Sequence, residues 1–438
     1  MSIGVVSLLL IALLVGQMVF GVPLAFATGS TAVVLALSLF GIDSLLLVVN
    51  RIQDMMGNYS LISVPLFILM GSLLERGGVT EQLFRVVQLW FGRLPGGLAI
   101  GVIIAGTVLA AMVGIAGAEI VTLGLVALPA LLRRGYDKGL SLGTICASGS
   151  LGAMIPPSVV LIIYGLVANA SISALFAAAL IPGILMAVAY CAYVIILCTI
   201  KPHMAPSELG LPMPLKQRLV ESRSVAFPLV VIVAVLGSIY GGIATPTEAA
   251  GIGVLGALIA AALNRRLTLE SIRHAIRQTG VSIGTVIWIF FGANALISVY
   301  SLAGGLNYIN DLILGIDLPP MSMVLVMVAV LFALGMLIDW IGIALLTMPI
   351  FVPIVVGLGY DAVWFGVVFC VVMQTSYLTP PFGPAAFYLK GVAPADITLG
   401  DIFRSVWPFV AIQLSIVVLL LLVPDIALWL PRQLATAP

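Results

Sequence analysis

Charged side chains are scarce in this chain: only 8% of its 438 residues are Asp, Glu, Lys or Arg, whereas 62% are hydrophobic. Soluble domains carry about 25% charged residues, because their water-facing surface requires them. The mean hydropathy of +1.27 agrees with this deficit. The composition therefore excludes an ordinary globular domain, a disordered chain and a nucleic-acid-binding protein, and it indicates that lipid surrounds most of the chain.

Residues and motifs of common catalytic centres are also rare. The two histidines, His203 and His274, lie in polar connectors, and the four cysteines lie in apolar runs without a CxxC pair. No Walker A sequence occurs. Residues 139–143 match the GxSxG motif, but no strand precedes them and no histidine is expected within the membrane, so we interpret the match as chance. We therefore predict that the chain is not an enzyme and has no cofactor.

What the chain does contain is a long internal duplication. Pro95 and Pro319 are separated by 224 positions, and so are Pro129 and Pro353. The same spacing relates two Gly-Tyr-Asp motifs, two Pro-Pro pairs and a pair of tyrosines. Because one spacing holds across so many rare residues, we infer a duplication over nearly the whole chain. The further pairs are 135–137 with 359–361, 156–157 with 380–381, and Tyr164 with Tyr388.

Each half has the same succession of apolar and amphipathic segments. We predict an all-α polytopic membrane protein of two inverted-topology repeats, each with five spanning helices, one of them broken, and a re-entrant hairpin. The hairpin segments are too short for two crossings of about 20 residues each plus a turn. The predicted ranges are 1–200 for the first repeat, with a hairpin at about 97–132 and a broken helix at about 138–168; 201–224 for a cytoplasmic connector; and 225–438 for the second repeat, with a hairpin at about 321–356 and a broken helix at about 361–389.

Amphipathic connectors precede the third span of each half. We predict connectors at 43–57 and 265–278, which lie at the membrane interface, and separate spans at 59–75 and 281–300. The two halves are thus expected to match element by element.

The distribution of the 18 basic residues gives the orientation. Cytoplasmic loops are enriched in Lys and Arg, and an odd number of crossings per half inverts the second half relative to the first. With both termini outside, only Arg51 and Arg432 fall on the outer face. Five basic residues flank the first hairpin: Arg85, Arg93, Arg133, Arg134 and Lys138. The flanks of the second hairpin carry no basic residue, and instead they carry the acidic residues Asp311, Asp317 and Asp361.

A double proline interrupts the long apolar span of each half. Proline lacks an N–H group and clashes with the preceding turn, so Pro156-Pro157 and Pro380-Pro381 forbid a continuous helix. The freed carbonyls and neighbouring hydroxyls need partners in lipid, and they suit a sodium ion. The alternative is a proline kink with serines bonded back to the helix. Because the motif occurs at matching depth in both halves, we favour an ion site at each.

Three acidic residues are predicted to lie within the membrane: Glu119, Asp339 and Glu248. Glu119 and Asp339 follow the glycines of the two hairpin tips, where an acid could neutralise a cation or relay a proton. The alternative is a structural acid bonded to nearby backbone amides. Glu248 lies in a Thr-Pro-Thr-Glu sequence, and there we favour a helix N-terminal cap.

Taken together, these motifs resemble the large membrane subunit of TRAP transporters, the tripartite ATP-independent periplasmic family. The resemblance extends over essentially the whole chain. It implies an elevator-type, sodium-driven importer of organic acids in the bacterial inner membrane, with a periplasmic substrate-binding protein and a small four-helix membrane subunit as partners. Its strongest parts are Gly135–Lys138, Pro156–Ser158, Thr245–Glu248, Asp339 with Trp340, and Leu378–Gly383.

The resemblance also implies two sodium sites between the hairpin tips and the broken helices. Many relatives carry a Ser-rich first tip, whereas this chain reads Gly-Ile-Ala-Gly-Ala-Glu at 114–119, so carbonyls and Glu119 are considered there. Carried onto this chain, the first site comprises Gly114, Ala116, Gly117, Glu119, Ser150, Gly152, Ile155 and Pro157, and the second comprises Gly335, Ile338, Asp339, Thr375, Ser376, Thr379 and Pro381.

Two other functions remain open at this point. The first is a stand-alone sodium/dicarboxylate symporter or cation/proton antiporter of similar architecture. The second is an intramembrane aspartyl protease that uses Asp137 and Asp361. The predicted topology disfavours the protease, because it places these aspartates on opposite faces of the membrane.

Overall fold

The computed structural model describes residues 2–92, 94–114, 117–206, 214–315 and 318–435, and this part of the chain is helical without any β-strand. Arg93, Ala116 and Asp317, which enter the predictions above, lie outside the described residues. The helices of the first half are α1 Ile3–Val19, α2 Leu24–Phe40, α3 Ser44–Met56, α4 Ser63–Arg76, α5 Val79–Phe91, α6 Gly97–Val113, α7 Ala118–Arg133, α8 Lys138–Ser150, α9 Val159–Ala168 and α10 Ile172–Ile200.

The second half repeats this order with two differences. Its helices are α11 Leu215–Tyr240, α12 Pro246–Leu263, α13 Leu269–Leu302, α14 Gly305–Leu314, α15 Pro320–Gly335, α16 Trp340–Gly357, α17 Ala362–Leu378, α18 Pro384–Val392, α19 Leu399–Leu422 and α20 Asp425–Ala435. The helix α20 has no counterpart in the first half and was not predicted. The second difference concerns α13.

The predicted connector at 265–278 and the predicted span at 281–300 form one continuous helix, α13, so the prediction of two separate elements was wrong. In the first half, Gly57 ends α3 and the Asn58 side chain accepts the Ser60 N–H, which starts a short 3₁₀ turn before α4. The matching stretch of the second half holds no proline and only a single glycine, Gly280, which a helix tolerates. The hydrophobic pattern changes there while the helix continues.

Several described helices are long and apolar enough to cross a membrane. By length and composition they number six among the described residues, and α11 adds a seventh span that is bent by 58° between Arg223 and Val225. The six are Tyr59–Arg76, Ile172–Ile200, Pro246–Leu263, Leu269–Leu302, Trp340–Gly357 and Leu399–Leu422. The chain is therefore a multi-pass membrane protein.

Helices of the first half pack against helices of the second half in corresponding pairs. Helix α2 packs along α13, and α4 packs along α12. Gly292 lets α13 approach α2 closely, because a β-carbon at Gly292 would lie 2.9 Å from the Gly29 nitrogen. Likewise α7 packs against α8 and α18, while α16 packs against α17 and α9. Each hairpin thus contacts the broken helix of its own half and the distal part of the other broken helix.

The two broken helices occupy the centre of the molecule and run antiparallel. The Tyr164 hydroxyl, near the end of the first, donates to the Ala362 carbonyl at the start of the second, at 2.7 Å. The Cys146 thiol, early in the first, lies 3.9 Å from the carbonyl oxygen of Ala385, late in the second. Between them Gln374 meets Ser150, a pair that is 224 positions apart. The crossing therefore brings together two positions related by the sequence duplication.

Candidate ion-binding site

The first hairpin tip is bonded directly to the first helix break. Helix α8 ends at Ser150, a cis peptide joins Pro156 to Pro157, and α9 begins at Val159. The Val159 N–H donates to the Gly114 carbonyl at 3.0 Å. Gly114 has a φ of 65°, and a β-carbon there would lie 2.6 Å from the Pro157 carbonyl oxygen. Only glycine fits both the conformation and the space, so the predicted proximity of tip and break is observed.

Glu119 is the second residue of α7 and lies against the first break. It is 1% exposed, and a β-carbon added to Gly152 would overlap its carboxylate. Neither carboxylate oxygen has a hydrogen-bond partner within the described part of the chain. An unpaired, charged carboxylate that is buried lowers the stability of the fold by roughly several kcal/mol, unless a proton or a cation neutralises it. Glu119 therefore lies buried at the first break without a hydrogen bond to a side chain, and its role as a functional or a structural acid stays a prediction.

The first tip also contacts the second half, which the sequence did not reveal. A β-carbon on Gly117 would lie 3.0 Å from the Tyr377 hydroxyl and 3.1 Å from the Tyr388 ring. The two tyrosine rings stack with centroids 6.3 Å apart. The buried Tyr377 hydroxyl has no hydrogen-bond partner among the described residues. Beside this tip, a cavity of about 260 Å³ is lined by residues that include Ser72, Gln278 and Ser282.

The Ser150 hydroxyl links three helices at the first break. Its hydroxyl donates to the Ala147 carbonyl at 2.8 Å and accepts from Gln374 Nε2 at 3.3 Å and Gln413 Nε2 at 3.2 Å. A hydroxyl offers one donor and two acceptor positions, so none is left for an ion. The Ser150 side chain thus joins α8 to α17 and α19, and its assignment to the first ion site stays a prediction.

The exchange Ser150→Ala is expected to lower the free energy of unfolding by about 1–3 kcal/mol, because it leaves two buried amide N–H groups unpaired. Thermal unfolding of the purified chain measures this change. The control is Ser148→Ala in the same helix, whose buried hydroxyl donates to the Ile145 carbonyl at 3.0 Å within its own helix. An unchanged unfolding temperature together with a shifted sodium titration would instead make Ser150 an ion ligand.

Ile155 contributes an apolar side chain to the first break. A β-carbon on Gly183 of α10 would lie 3.1 Å from its side chain, and its N–H donates to the Leu151 carbonyl at 3.0 Å. Any contribution of Ile155 to an ion site is therefore restricted to its carbonyl.

The second break shows the same construction with more hydroxyls. The Thr375, Ser376 and Thr379 hydroxyls donate back to carbonyls of α17 at 2.8, 3.0 and 2.6 Å. This is the bonding of the proline-kink alternative, yet each oxygen keeps lone pairs that can bind a cation. The C-terminal ends of α8 and α17 also face the two breaks, where their partial negative charge favours a cation. A second cis peptide joins Pro380 to Pro381.

A cavity of about 10 Å³ lies between the second hairpin tip and the second break, roughly the space of one water molecule. Four residues of the predicted site line this cavity: Gly335, Ile338, Asp339 and Ser376. Tyr377, which was not predicted, lines it as well. The structure thus brings four predicted residues together around one small space. Thr375, Thr379 and Pro381 are outside the lining.

The two tip acids are less alike than their sequence positions suggest. Asp339 is the N-cap of α16, and its carboxylate accepts the Ile341 N–H at 3.1 Å. Glu119 lies inside the first turn of α7 and lacks such a bond. The predicted capping role of Glu248 is confirmed, since its carboxylate accepts the Thr245 N–H at 2.8 Å and the Thr245 hydroxyl accepts the Glu248 N–H.

A family model that describes the DctM component of tripartite ATP-independent periplasmic transporters matches residues 9–426. This chain belongs to that family. The DctM-family chain is 28% identical to the C4-dicarboxylate TRAP transporter large permease protein of Vibrio cholerae, over 97% of each chain. It is 32% identical to the ectoine/5-hydroxyectoine large permease protein of Ruegeria pomeroyi, over 95% of this chain and 96% of that one.

A third relative and a solved structure extend the comparison. The isethionate TRAP transporter permease protein DctMQ of Oleidesulfovibrio alaskensis is 29% identical, over 94% of this chain and 64% of its own length. The solved YdaH transporter of Alcanivorax borkumensis aligns with 93% of the DctM-family chain and 98% of its own, with a TM-score of 0.67 and 14% identity. The latter shows likeness of fold alone. The relatives are transporter permeases, and the chain is the large permease component of a TRAP transporter.

Proposed function

We propose that the chain drives uptake of an organic acid with a sodium gradient and catalyses no chemical reaction. One observation carries the proposal: a cavity of about 10 Å³ lies where a hairpin tip, with the Asp339 carboxylate, meets the interrupted helix at Ser376. Hard cations such as sodium prefer oxygen ligands, and carbonyls freed at broken helices supply them. A second ion is proposed at the first break.

The proposed sites follow the contacts described above. The first site uses backbone groups of Gly114, Gly117, Gly152, Ile155 and Pro157. Glu119 is the acid that neutralises the ion. Ala116, which lies outside the described residues, is included on the basis of the sequence alone. The second uses Asp339 and Ser376 around the small cavity, with Gly335, Ile338, Thr375, Thr379 and Pro381 as further members. Sodium is a co-transported ion in this proposal.

We also propose that the halves are inverted repeats and that transport follows an elevator motion. The antiparallel crossing of the broken helices supports the inversion, because duplicated helices that start at opposite ends must have opposite directions. In the proposed motion, the hairpins and broken helices move together against α2, α4, α12 and α13. Their mutual bonds, such as Val159 to Gly114, support one moving unit.

The substrate and partners follow from the family and the names of relatives. Those names specify C4-dicarboxylates, isethionate and ectoine. We propose a small organic acid delivered by a periplasmic binding protein, and a small four-helix membrane subunit that braces the fixed helices. We propose that the chain lies in the bacterial inner membrane with both termini in the periplasm.

Reconstitution into proteoliposomes tests this function. The complex of this chain, the small subunit and the cognate binding protein loaded with succinate, isethionate or ectoine should accumulate substrate when sodium is higher outside. Potassium in place of sodium, or omission of either partner, should abolish uptake. Accumulation by this chain alone would instead favour a stand-alone symporter or antiporter, and sodium-independent accumulation would contradict the coupling.

A further inference from the structure

A second, much larger cavity lies at a distance from the helix breaks. Its volume is about 660 Å³, and residues of α3, α9, α13, α14 and α16 line it together with the turn before α4. The helices α9 and α16 belong to the proposed moving unit, whereas α13 belongs to the proposed fixed helices. Its polar lining residues are Arg51, Asn58, Asn169, Asn294, Ser298 and Ser301.

Arg51 is the single charged residue among the residues that line this cavity. It is exposed, and it makes no hydrogen bond or ion pair within the described part of the chain. Arginine presents a planar fork of N–H donors that matches a carboxylate or a sulfonate. An arginine without a protein acceptor, in a concave and half-polar space, therefore provides an anion-binding group.

The amides beside Arg51 complement this charge. The Asn58 side-chain oxygen accepts the Ser60 N–H at 3.0 Å, so its amide N–H₂ group remains available as a donor. Asn169 ends α9 with a φ of 49°, a left-handed conformation that places it at the helix terminus. The cavity thus combines one cation with neutral donors and contains no lining carboxylate that would repel an anion.

We propose that this cavity is an entrance site that binds the carboxylate or sulfonate of a small organic anion through Arg51 before the anion reaches the hairpin tips. The proposal rests on the proposed function for the identity of the anion. The outer placement rests on the proposed topology, which assigns Arg51 to the periplasmic side. Substrate selection here is by charge, since a single arginine attracts any small anion that fits.

Thiol kinetics on the full chain test the charge of the cavity without transport. In the variant Ser298→Cys, we compare labelling by an ethylsulfonate methanethiosulfonate with labelling by its cationic trimethylammonium analogue, after subtraction of the parent chain's background. Arg51→Gln should lower the anion-to-cation rate ratio by about fivefold or more, because the lost unit charge attracts the anionic reagent and repels the cationic one. High salt should shrink this difference.

The matched control is Arg432→Gln, which removes the other basic residue assigned to the outer face. Arg432 pairs with Asp425 of α20, outside the cavity, so the ratio should stay unchanged. An equal ratio with and without Arg51 would overturn the proposal. An equal change of the ratio in Arg432→Gln would also overturn the proposal, because the selectivity would then depend on the overall charge of the protein and not on Arg51.

Uptake by the reconstituted complex provides the second measurement. Arg51→Gln should raise the half-saturating concentration of the transported anion about threefold or more at low salt. Its sodium titration should match that of the parent complex. Arg51→Lys, which keeps the charge, should have a half-saturating anion concentration near the parent value. A shifted sodium titration would assign Arg51 to the ion sites and overturn the entrance role. Failure of sodium-driven uptake by the parent complex refutes the proposed function alone, because the thiol ratio does not depend on transport.

Discussion

The exchange Gly335→Ala is expected to reduce sodium-driven uptake by roughly tenfold or more. Gly335 ends α15 at the second tip, and a β-carbon there would overlap the Ser376 side chain. The tip must then move away from the break, since close-packed interiors do not absorb an added methyl group without displacement. The cavity that holds the proposed ion would lose its shape. Initial uptake rates in proteoliposomes, normalised to the amount of protein, measure the effect.

Gly357→Ala is the matched control at the far end of the same hairpin. An added β-carbon at Gly357 meets nothing within 4 Å. Because alanine favours a helix over glycine by about 1 kcal/mol, this variant should be as stable as the parent or more so. It should transport normally. Equal uptake by the two variants would show that contact between Gly335 and Ser376 is not required for transport.

The exchange Asp339→Asn is expected to raise the sodium concentration for half-maximal uptake by about tenfold or more. Asparagine caps a helix about as well as aspartate, so the bond to the Ile341 N–H can persist while the charge is lost. A unit charge within about 4 Å of a cation contributes several kcal/mol at intermediate dielectric, and about 1.4 kcal/mol already corresponds to tenfold. A sodium titration of uptake provides the measurement.

Asp361→Asn separates the charge effect from the capping effect. Asp361 also caps its helix, accepting the Val363 N–H at 2.6 Å, but it lies at the start of α17, far along the helix from the break. Its exchange should leave the sodium titration unchanged. If both variants shift the titration equally, or if neither does, the proposed ligand role of Asp339 is wrong.

The positions of the hairpins and helix breaks were predictable from the sequence because proline and glycine act locally. The double prolines follow the ends of α8 and α17 within six residues, and Gly114 and Gly117 have the positive φ values that a tight tip needs. Helices are observed at Gly97–Val113 and Ala118–Arg133 and at Pro320–Gly335 and Trp340–Gly357, and their assignment to re-entrant hairpins stays a prediction. Local chemistry therefore determined where the chain breaks and turns, and a fixed spacing of rare residues related the two halves.

Contacts between distant residues could not be predicted in the same way. Gln413 is 263 positions from Ser150, and no motif links them. The tyrosines that cover the first tip, Tyr377 and Tyr388, belong to the other half of the chain. The sequence showed a serine beside a break, which is equally typical of an ion ligand and of a structural hydroxyl. Only the packing of α17 and α19 distinguishes these two roles.

The continuity of α13 has a related explanation. Its N-terminal part is amphipathic and its remainder apolar, so hydrophobic pattern alone indicates two elements. A helix ends where a backbone signal ends it, and residues 278–282 provide none. A change of environment along a helix is therefore not a helix end.

The meeting of Ser150 and Gln374 has a consequence for how the two halves can diverge. Two separate, identical half-length chains paired about an axis at this crossing would present the same side chain to itself. Joined in one polypeptide, the halves place a short acceptor opposite a long donor at 3.3 Å. The divergence of the two halves thus permits an unlike pair, which two identical half-length chains related by an exact twofold axis could not form.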